Sequence, residues 1–267
     1  MRYLKPENRE EALRMLSEHP DFLLLCGSTD MALRLKREKG VKGLIDIGGL
    51  HTLKEIGMEA EHVHIGALVT VSDMLENKAL CHRLPLLEAA AKRFASRQIR
   101  NLATLGGNIA NASPASDLSA VLLALDARVT LDSLNGERSL ALEDLFCGYK
   151  CTKLAEEMIV GIDIPLCEHQ WYYRKSGARE RLNIAKVSMA VVKKSDGYAV
   201  SGASLNPYAV RFGQVEALLD SGNFNDEMLR KALEEDISPS GSFRSTKSYR
   251  MRVAFNMLKE ALSKMKP

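Results

Sequence analysis

Long hydrophobic runs and an apolar N-terminal leader are both missing from this 267-residue chain. No stretch approaches the roughly 18 apolar residues that a membrane-spanning helix requires. The opening Met1-Arg-Tyr-Leu-Lys-Pro6 has no apolar core, so we expect neither a signal peptide nor a membrane span. The five cysteines are scattered and odd in number, which favours a reducing cytoplasm over a disulfide framework.

The common motifs of nucleotide-binding, hydrolytic and metal sites are also missing from the sequence. The patterns G-x-G-x-x-G, G-x-x-x-x-G-K-[ST], G-x-S-x-G and H-E-x-x-H do not occur, which leaves a Rossmann site, a P-loop, a hydrolase triad and a zincin unsupported. Cys147 and Cys151 stand four apart with no second pair and no histidine nearby, so we interpret them as buried thiols rather than iron–sulfur or metal ligands. His62 and His64 share one face of a predicted strand, but no further motif completes a metal site there.

An excess of charge of one sign is also missing. Lys and Arg total 37 against 34 Asp and Glu, a net charge of +3, which argues against nucleic acid as the main partner. The basic run Arg34–Lys39 is interpreted as the solvated face of a helix. Hydrophobic residues make up 46% of the chain, enough for a full core at this length.

Hydrophobic periodicity predicts strands and helices in an α+β arrangement, without repeats or low-complexity segments. A short helix is expected to begin at a cap on Ser72, and Thr29 or Asp30 can cap the helix that follows them. A boundary is placed near Leu166–Gln170. The predicted hairpin turns are Asn135–Gly136 and Ser195–Gly197. The predicted helices are Asn8–His19, Met31–Lys36, Pro85–Ala95, Leu118–Leu125, Val215–Leu219, Asp226–Glu235 and Tyr249–Lys264; the predicted strands are Phe22–Cys26, Gly43–Ile47, His62–Ala67, Ala127–Leu131, Met158–Ile164, Ile184–Lys194 and Tyr198–Leu205.

Two polar, glycine-bearing segments are the features most indicative of function. Ala103–Asp117 contains adjacent glycines, Gly106 and Gly107, which would let the backbone approach a bulky ligand. Hydrogen-bonding side chains follow at Asn108, Asn111, Ser113 and Asp117. Cys26–Asp30 is a shorter segment of the same kind. Two such turns suit a long, phosphate-bearing cofactor.

These segments resemble those of a known family, the FAD-binding subunits of the molybdenum hydroxylases, which include xanthine dehydrogenase and carbon monoxide dehydrogenase. Further stretches are similar to the family along nearly the whole chain. The matching stretches are Leu24–Asp30, Ile65–Thr70, Ser96–Asn108, Ala112–Asp117, Glu157–Pro165, Tyr173–Arg179, Ile184–Ser188 and Phe243–Arg250.

The resemblance implies a fold as well as a cofactor. It implies a two-subdomain FAD-binding domain of the vanillyl-alcohol oxidase type over residues 1–167, divided near residues 58 and 59. A smaller α+β domain would follow over residues 168–267. FAD would lie extended between the subdomains, with its pyrophosphate on the two glycine-bearing segments, where backbone N–H groups bind anionic oxygens.

The resemblance also implies the residues that bind the cofactor. They are Leu23, Leu24, Leu25, Cys26, Gly27, Ser28, Thr29, Asp30, Phe94, Ala103, Thr104, Leu105, Gly106, Gly107, Asn108, Asp117, Met158 and Lys175.

Several of these assignments have an alternative. Ser28 stands where the family usually has glycine, and its Cβ disfavours the positive φ that glycine can adopt. Asp117 can instead cap a helix, Phe94 can simply pack on a helix face, and Lys175 can be a solvated lysine. The strand position that meets the flavin is Met158 or its neighbour Ile159. Tyr172 and Tyr173 are equal candidates to shield the flavin ring.

The implied function is that of an FAD-dependent oxidoreductase subunit, xanthine dehydrogenase-like and cytoplasmic. A large subunit would hold molybdenum-pterin and a small subunit two [2Fe-2S] clusters, and this chain would pass their electrons to NAD⁺ or another acceptor. The Phe243–Arg250 element favours xanthine or a related N-heterocycle as the substrate. No four-cysteine cluster is present, so FAD is the one cofactor expected in this chain. The alternatives are a stand-alone flavin oxidoreductase of the vanillyl-alcohol oxidase type and a scaffold subunit without flavin.

Overall fold

The computed structural model describes residues 1–37, 40–179 and 183–265. Glu38 and Lys39, the end of the basic run discussed above, lie outside the described residues. The strands are β1 (Arg2–Leu4), β2 (Leu23–Leu25), β3 (Gly43–Asp46), β4 (Ile56–Met58), β5 (His62–Gly66), β6 (Arg128–Ser133), β7 (Gly136–Ala141), β8 (Phe146–Gly148), β9 (Cys151–Thr152), β10 (Met158–Pro165), β11 (Gln170–Ser176), β12 (Val187–Lys194), β13 (Gly197–Ala203) and β14 (Val210–Arg211).

The helices of the described residues include all those that the sequence predicts, with similar bounds, and four that it does not predict, and the predicted α+β class is confirmed. They are α1 (Arg9–Glu18), α2 (Met31–Arg37), α3 (Val71–Glu76), α4 (Lys78–Arg83), α5 (Pro85–Arg93), α6 (Arg97–Arg100), α7 (Leu105–Ala110), α8 (Asp117–Ala124), α9 (Leu142–Leu145), α10 (Gly213–Asp220), α11 (Asp226–Asp236) and α12 (Lys247–Lys264). None of the helices in the described ranges is long and apolar enough to cross a membrane.

Three main sheets carry these elements. The first is parallel, in the order β1-β3-β2, with the buried side chains of α1 in the same core cluster as those of β3. The second is antiparallel, in the order β4-β5-β10-β6-β7, and β6 and β7 form the hairpin predicted at Asn135–Gly136. The third is antiparallel, in the order β11-β12-β13-β14, and shares a core with α10, α11 and α12. The first two sheets use residues before 166 and the third uses residues from 170 onward.

Helix α8 lies where the second and third sheets come together. All eight of its residues are buried, because it packs against α5 on one side and against β12 and β13 on another. Its sequence, DLSAVLLA, is apolar around most of its circumference, as a helix enclosed by protein requires. This helix places Asp117 in the interior, next to the third sheet.

Two predicted caps are wrong. Thr70, rather than Ser72, caps α3: its hydroxyl accepts from the Asp73 amide at 3.1 Å, and the Asp73 carboxylate accepts from the Thr70 amide at 2.9 Å. This reciprocal pair satisfies two N–H groups at the start of the helix. Ser72 instead donates to the Asn101 side chain at 2.6 Å. The alternative interpretation of Asp117 as a helix cap is also wrong, because Ser116 caps α8 and Asp117 is its first residue.

The interpretation of Cys147 and Cys151 as buried thiols is wrong as well. Both side chains are exposed, and the two cysteines form a disulfide. The cause is the hairpin of β8 and β9, in which Gly148 pairs with Cys151 and the two cysteine Cα atoms lie 5.3 Å apart, within the usual range for a disulfide. Cys26, Cys81 and Cys167 are free.

One of the two predicted strand histidines, His64, forms a hydrogen bond with a carboxylate. His64 Nδ1 lies 2.7 Å from Asp163 Oδ1, and Thr130 donates to the other oxygen of Asp163 at 3.1 Å. Within the described residues no group of three or more His, Cys, Asp or Glu side chains is arranged to hold a metal ion.

Candidate functional site

The first glycine-bearing segment, Cys26–Asp30, connects β2 to α2. Its first four residues are half-buried, as is the preceding strand Leu23–Leu25, and its last residue, Asp30, is exposed. Ser28 has a φ of +59°, so it takes the left-handed conformation that glycine provides in the family pattern. Its hydroxyl donates to the Cys26 carbonyl at 3.0 Å, a bond within the segment that offsets part of the conformational cost.

Backbone N–H groups are the main hydrogen-bond donors that this segment offers to a ligand. In the part of the chain that the structure describes, the N–H groups of Gly27, Ser28, Thr29 and Asp30 donate to no protein acceptor. Neither Thr29 nor Asp30 makes a side-chain capping bond there, and Asp30 Oδ2 instead lies 3.3 Å from Lys150 Nζ. Open amides in a tight turn at the start of a helix are suited to anionic oxygens.

The second segment differs from the expected loop because it forms the start of helix α7. Thr104 caps this helix and accepts from the Gly107 amide at 3.1 Å. The amides of Leu105 and Gly106 donate to the carbonyls of Val69 and Ala67, and the Asn108 amide donates to the Thr104 carbonyl. The amides of residues 105–108 are therefore already used by the protein.

Protein packing by itself requires both of the paired glycines. A Cβ on Gly106 would lie 2.7 Å from the Ala67 Cβ, and a Cβ on Gly107 would lie 2.8 Å from the Thr104 hydroxyl. The close approach that the structure shows at both glycines is an approach of protein atoms. The sequence could not distinguish the two explanations, because a close neighbour of either kind excludes a Cβ.

The two segments touch each other through Gly27. A Cβ at this position would overlap the carbonyl of Leu102, next to Ala103. Cys26 Sγ also lies 3.3 Å from the Thr104 hydroxyl. The second segment thus supports the first, whose amides remain open.

Asp117 and Lys175 form a buried ion pair between α8 and β11. Lys175 Nζ lies 2.6 Å from Asp117 Oδ2, and the two side chains are only 5% and 4% exposed. Lys175 also donates to the Arg93 carbonyl at 3.1 Å, which uses two of the three ammonium donors. The alternative interpretation of Lys175 as a solvated lysine is therefore wrong.

Three buried polar atoms around this pair have no partner among the described residues. They are Asp117 Oδ1, the Tyr173 hydroxyl and Ser188 Oγ. Ser188 lies opposite Lys175 in the β11–β12 register. Burial first, and the Asp117 carboxylate second, raises the pKa of Tyr173 well above its ordinary value, so the phenol stays protonated. The Asp117 carboxylate and the Ser188 hydroxyl both act on the Tyr173 phenol, so the three side chains form one buried polar cluster beside the ion pair.

The structure distinguishes the two tyrosines. Tyr173 lies on the same face of β11 as Lys175 and packs towards the core that contains α8. Tyr172 lies on the opposite face, in the core shared with α12. Of the two candidate tyrosines, Tyr173 is therefore the one on the face of Lys175, and Ser188 of β12 is an addition that no signal in the sequence indicates.

The other two expected residues lie at the edges of this region. Phe94 ends α5, next to the Arg93 carbonyl that accepts from Lys175, and it packs on the core. Met158 is buried and shares a core cluster with Cys26 of the first segment. Met158 and Ile159 begin β10, before the residues of that strand that pair with β5. The next residue, Val160, accepts a hydrogen bond from the Ala67 amide through its carbonyl.

A continuous path of contacts joins these residues. Gly27 touches the second segment, Asn108 of that segment accepts from Ser116 at 2.7 Å, and Ser116 precedes Asp117, the partner of Lys175. The path runs from the open amides to the unpartnered buried atoms.

Comparison with known families agrees with this architecture. Residues 1–167 match the family model "FAD binding domain in molybdopterin dehydrogenase", and residues 171–265 match "CO dehydrogenase flavoprotein C-terminal domain". The chain belongs to the FAD-binding subunits of the molybdopterin dehydrogenases. The resemblance seen in the sequence is thereby confirmed, together with FAD as the cofactor of this chain and its place among oxidoreductase subunits.

Relatives in this family span different substrates. The chain is 32% identical over 244 residues to the nicotine 6-hydroxylase medium subunit of Paenarthrobacter nicotinovorans, which covers 88% of this chain and 85% of that protein. It is 31% identical over 274 residues to the carbon monoxide dehydrogenase medium chain of Hydrogenophaga pseudoflava, covering 98% and 95%.

A solved structure shows the same fold. The chain matches the carbon monoxide dehydrogenase of Hydrogenophaga pseudoflava that lacks the Mo-pyranopterin moiety of its molybdenum cofactor, with a TM-score of 0.90 and 30% identity over 98% of this chain and 96% of that one. Medium subunits of molybdenum hydroxylases are therefore the class to which this protein belongs.

The residues present fit FAD. The open amides of the first segment suit the pyrophosphate, and Asp117 Oδ1, buried without a partner, suits a ribityl or ribose hydroxyl as donor. The third ammonium donor of Lys175 suits an acceptor on the flavin ring.

Proposed function

We propose that this chain is the electron-transfer subunit of a molybdenum hydroxylase complex. It would receive electrons from [2Fe-2S] clusters of a small subunit and deliver them to NAD⁺ or another acceptor. The substrate would be oxidised at a molybdenum-pterin centre in a large subunit. Bound FAD supplies the conversion between one-electron and two-electron transfer. The observation that carries the proposal is the row of open amides in the first segment, which lies within the residues that match an FAD-binding domain.

The protein residues have distinct proposed roles. The amides of Gly27–Asp30 bind the pyrophosphate, and α7 holds that segment in place through Leu102 and Thr104. Asp117 accepts from a cofactor hydroxyl, while Lys175 holds the carboxylate in position by its ion pair and places a positive charge near the ring. Phe94 and the backbone near Met158 border the cofactor. The division into residues 1–167 and 168–267, with a subdomain boundary near residue 58, belongs to the same proposal.

An N-heterocycle is the proposed substrate class, with xanthine as the first compound to test. Support comes from the relative that hydroxylates nicotine, itself an N-heterocycle. The Phe243–Arg250 element carries less weight than the sequence suggests. Arg250 is buried and donates to the Ser204 carbonyl at 2.6 Å and to Ser242 at 3.0 Å, which is a structural role.

Flavin content tests the binding site. The purified chain should show a flavin spectrum and release about one FAD per chain on heating. Asp117→Asn should lower FAD affinity by about tenfold, because the amide accepts more weakly and no longer pairs with Lys175. Asp163→Asn is the matched control, since the Asp163 carboxylate is also hydrogen-bonded but lies on the second sheet with His64 and Thr130. A chain that stays colourless with added FAD, alone and with its partners, would favour the flavin-free scaffold.

Partner content tests the electron-transfer role. Affinity purification of the natural complex should retain molybdenum and iron together with this chain, and xanthine or another N-heterocycle should reduce its flavin. A flavoprotein that purifies without either metal and turns over a small substrate alone would support the stand-alone oxidoreductase instead.

A further inference from the structure

The disulfide between Cys147 and Cys151 closes a small exposed hairpin. Strands β8 and β9 form a two-stranded sheet of their own, and both cysteine side chains are exposed. The ring spans only four residue steps, so the bond constrains the unfolded chain less than a long-range disulfide would. Exposed disulfides are also those that external thiols reduce most readily. These properties are typical of a reversible disulfide.

One of the three residues between the two cysteines, Lys150, contacts the first glycine-bearing segment. Lys150, with a φ of +51°, lies next to Cys151, and its Nζ is 3.3 Å from Asp30 Oδ2. Asp30 is the last residue of the segment whose amides are open. The disulfide therefore fixes the backbone that presents Lys150 to this segment.

The remaining described thiols are arranged differently. Cys26 and Cys81 are half-buried, and burial raises the pKa of the Cys81 thiol, which lowers its reactivity. Cys167 is exposed but unpaired. Among the described cysteines, only Cys147 and Cys151 combine exposure with a bonded partner.

We propose that Cys147–Cys151 is a redox-active site whose co-substrate is a dithiol protein, and that its state adjusts the affinity of the first segment for flavin. A thiolate of the dithiol attacks one sulfur and breaks the S–S bond, and its second thiolate resolves the mixed disulfide. Two electrons and two protons end on Cys147 and Cys151, and the dithiol leaves as a disulfide. The proposed effect on flavin affinity rests on the proposed function, which places FAD on the first segment.

The expected change in affinity is modest. The side chains of Lys150 and Asp30 are 43% and 50% exposed, and exposed ion pairs contribute little. Reduction should therefore raise the dissociation constant for FAD about two- to fivefold. A larger effect would require the hairpin to rearrange more widely than the loss of this one pair.

The test compares the full chain before and after treatment with dithiothreitol as the probe dithiol. Alkylation followed by peptide mass analysis should find Cys147 and Cys151 protected before treatment and modified after it, with the chain still folded. The FAD dissociation constant should rise in parallel. Cys147→Ser/Cys151→Ser should bind FAD like the reduced protein under both conditions, and Cys167→Ser should behave like wild type. Lys150→Gln should weaken FAD binding to a similar extent without affecting the disulfide.

Two outcomes would overturn the inference. A disulfide that dithiothreitol reduces only after the chain unfolds would be structural, and an FAD affinity that is equal before and after reduction would remove the link to the first segment. Reduction of the folded wild-type protein distinguishes these outcomes even if the double serine variant fails to fold. A chain that binds no FAD in either state contradicts the proposed flavin site instead, and the alkylation result still decides whether the disulfide is redox-active.

Discussion

Gly27 is the residue at which the two glycine-bearing segments meet. Because a Cβ there would overlap the Leu102 carbonyl, we expect Gly27→Ala to push the segments apart. Overpacking of this kind costs about 1–3 kcal/mol of stability, and displacement of the open amides should weaken FAD binding by about tenfold or more. Fluorescence titration with FAD and urea unfolding measure the two effects.

The matched control for this substitution is Gly213→Ala. Gly213 begins α10, and a Cβ there meets nothing within 4 Å, so alanine should leave stability unchanged or increase it slightly. If Gly27→Ala also binds FAD with wild-type affinity, the contact with Leu102 does not position the first segment.

The buried phenol of Tyr173 leads to a second prediction at the residue scale, which concerns stability at alkaline pH. Burial raises the pKa of its phenol above the ordinary value of 10.0. The folded protein therefore keeps a proton that the unfolded chain loses above about pH 10, so stability present below that pH is lost as the pH rises. Tyr173→Phe should reduce this alkaline loss, measured by urea unfolding between about pH 8 and pH 11.

The same substitution has an expected effect near neutral pH. The hydroxyl lies beside Asp117 and Ser188 without a hydrogen bond of regular geometry, so its removal should change the stability of the flavin-free protein by no more than about 1 kcal/mol. Tyr149→Phe is the control, because Tyr149 is 68% exposed. A Tyr173→Phe variant with the wild-type alkaline profile would show that this phenol is not the group responsible.

At the scale of elements, the sequence predicted the longer helices and most of the longer strands, but it missed α7, several short strands and β11. The segment Gln170–Ser176 does not alternate between polar and apolar residues, because its two faces pack against different cores: Tyr173 faces the core of α8 and Tyr172 faces that of α12. The pairing of Lys175 with Asp117 depends on this strand. It joins residues 58 positions apart, a contact that local periodicity does not report.

The contact between β11 and α8 can be measured by a double-mutant cycle on the flavin-free protein. Lys175→Met leaves a buried carboxylate without its partner and should cost about 3–5 kcal/mol, and Asp117→Asn should also destabilise. The double variant should be more stable than the sum of the two losses predicts, because no isolated charge remains. Urea unfolding of the four proteins gives the coupling energy. Strict additivity would mean that the pair contributes nothing beyond its separate members.

At the scale of the whole molecule, α8 links the two parts that match separate family models. It packs against α5 on the FAD-binding side and against β12 and β13 on the other, and Asp126, just beyond it, pairs with both Lys194 and Arg211. The Ser204 amide also donates to the Pro114 carbonyl at 2.6 Å. An interface built around a fully buried helix should not separate without exposing apolar surface.

We therefore expect the chain to unfold in one cooperative transition, although two family models cover it. Calorimetric and van't Hoff enthalpies should agree, and FAD at about 100 times its dissociation constant should stabilise the entire transition by about 2.7 kcal/mol. A fragment of residues 1–167 should be poorly soluble, because it exposes the face of α8 that β12 and β13 cover. Differential scanning calorimetry with and without FAD decides the matter. Two peaks, of which FAD moves only one, would show that the parts fold independently and that the contacts of α8 with the third sheet are energetically minor.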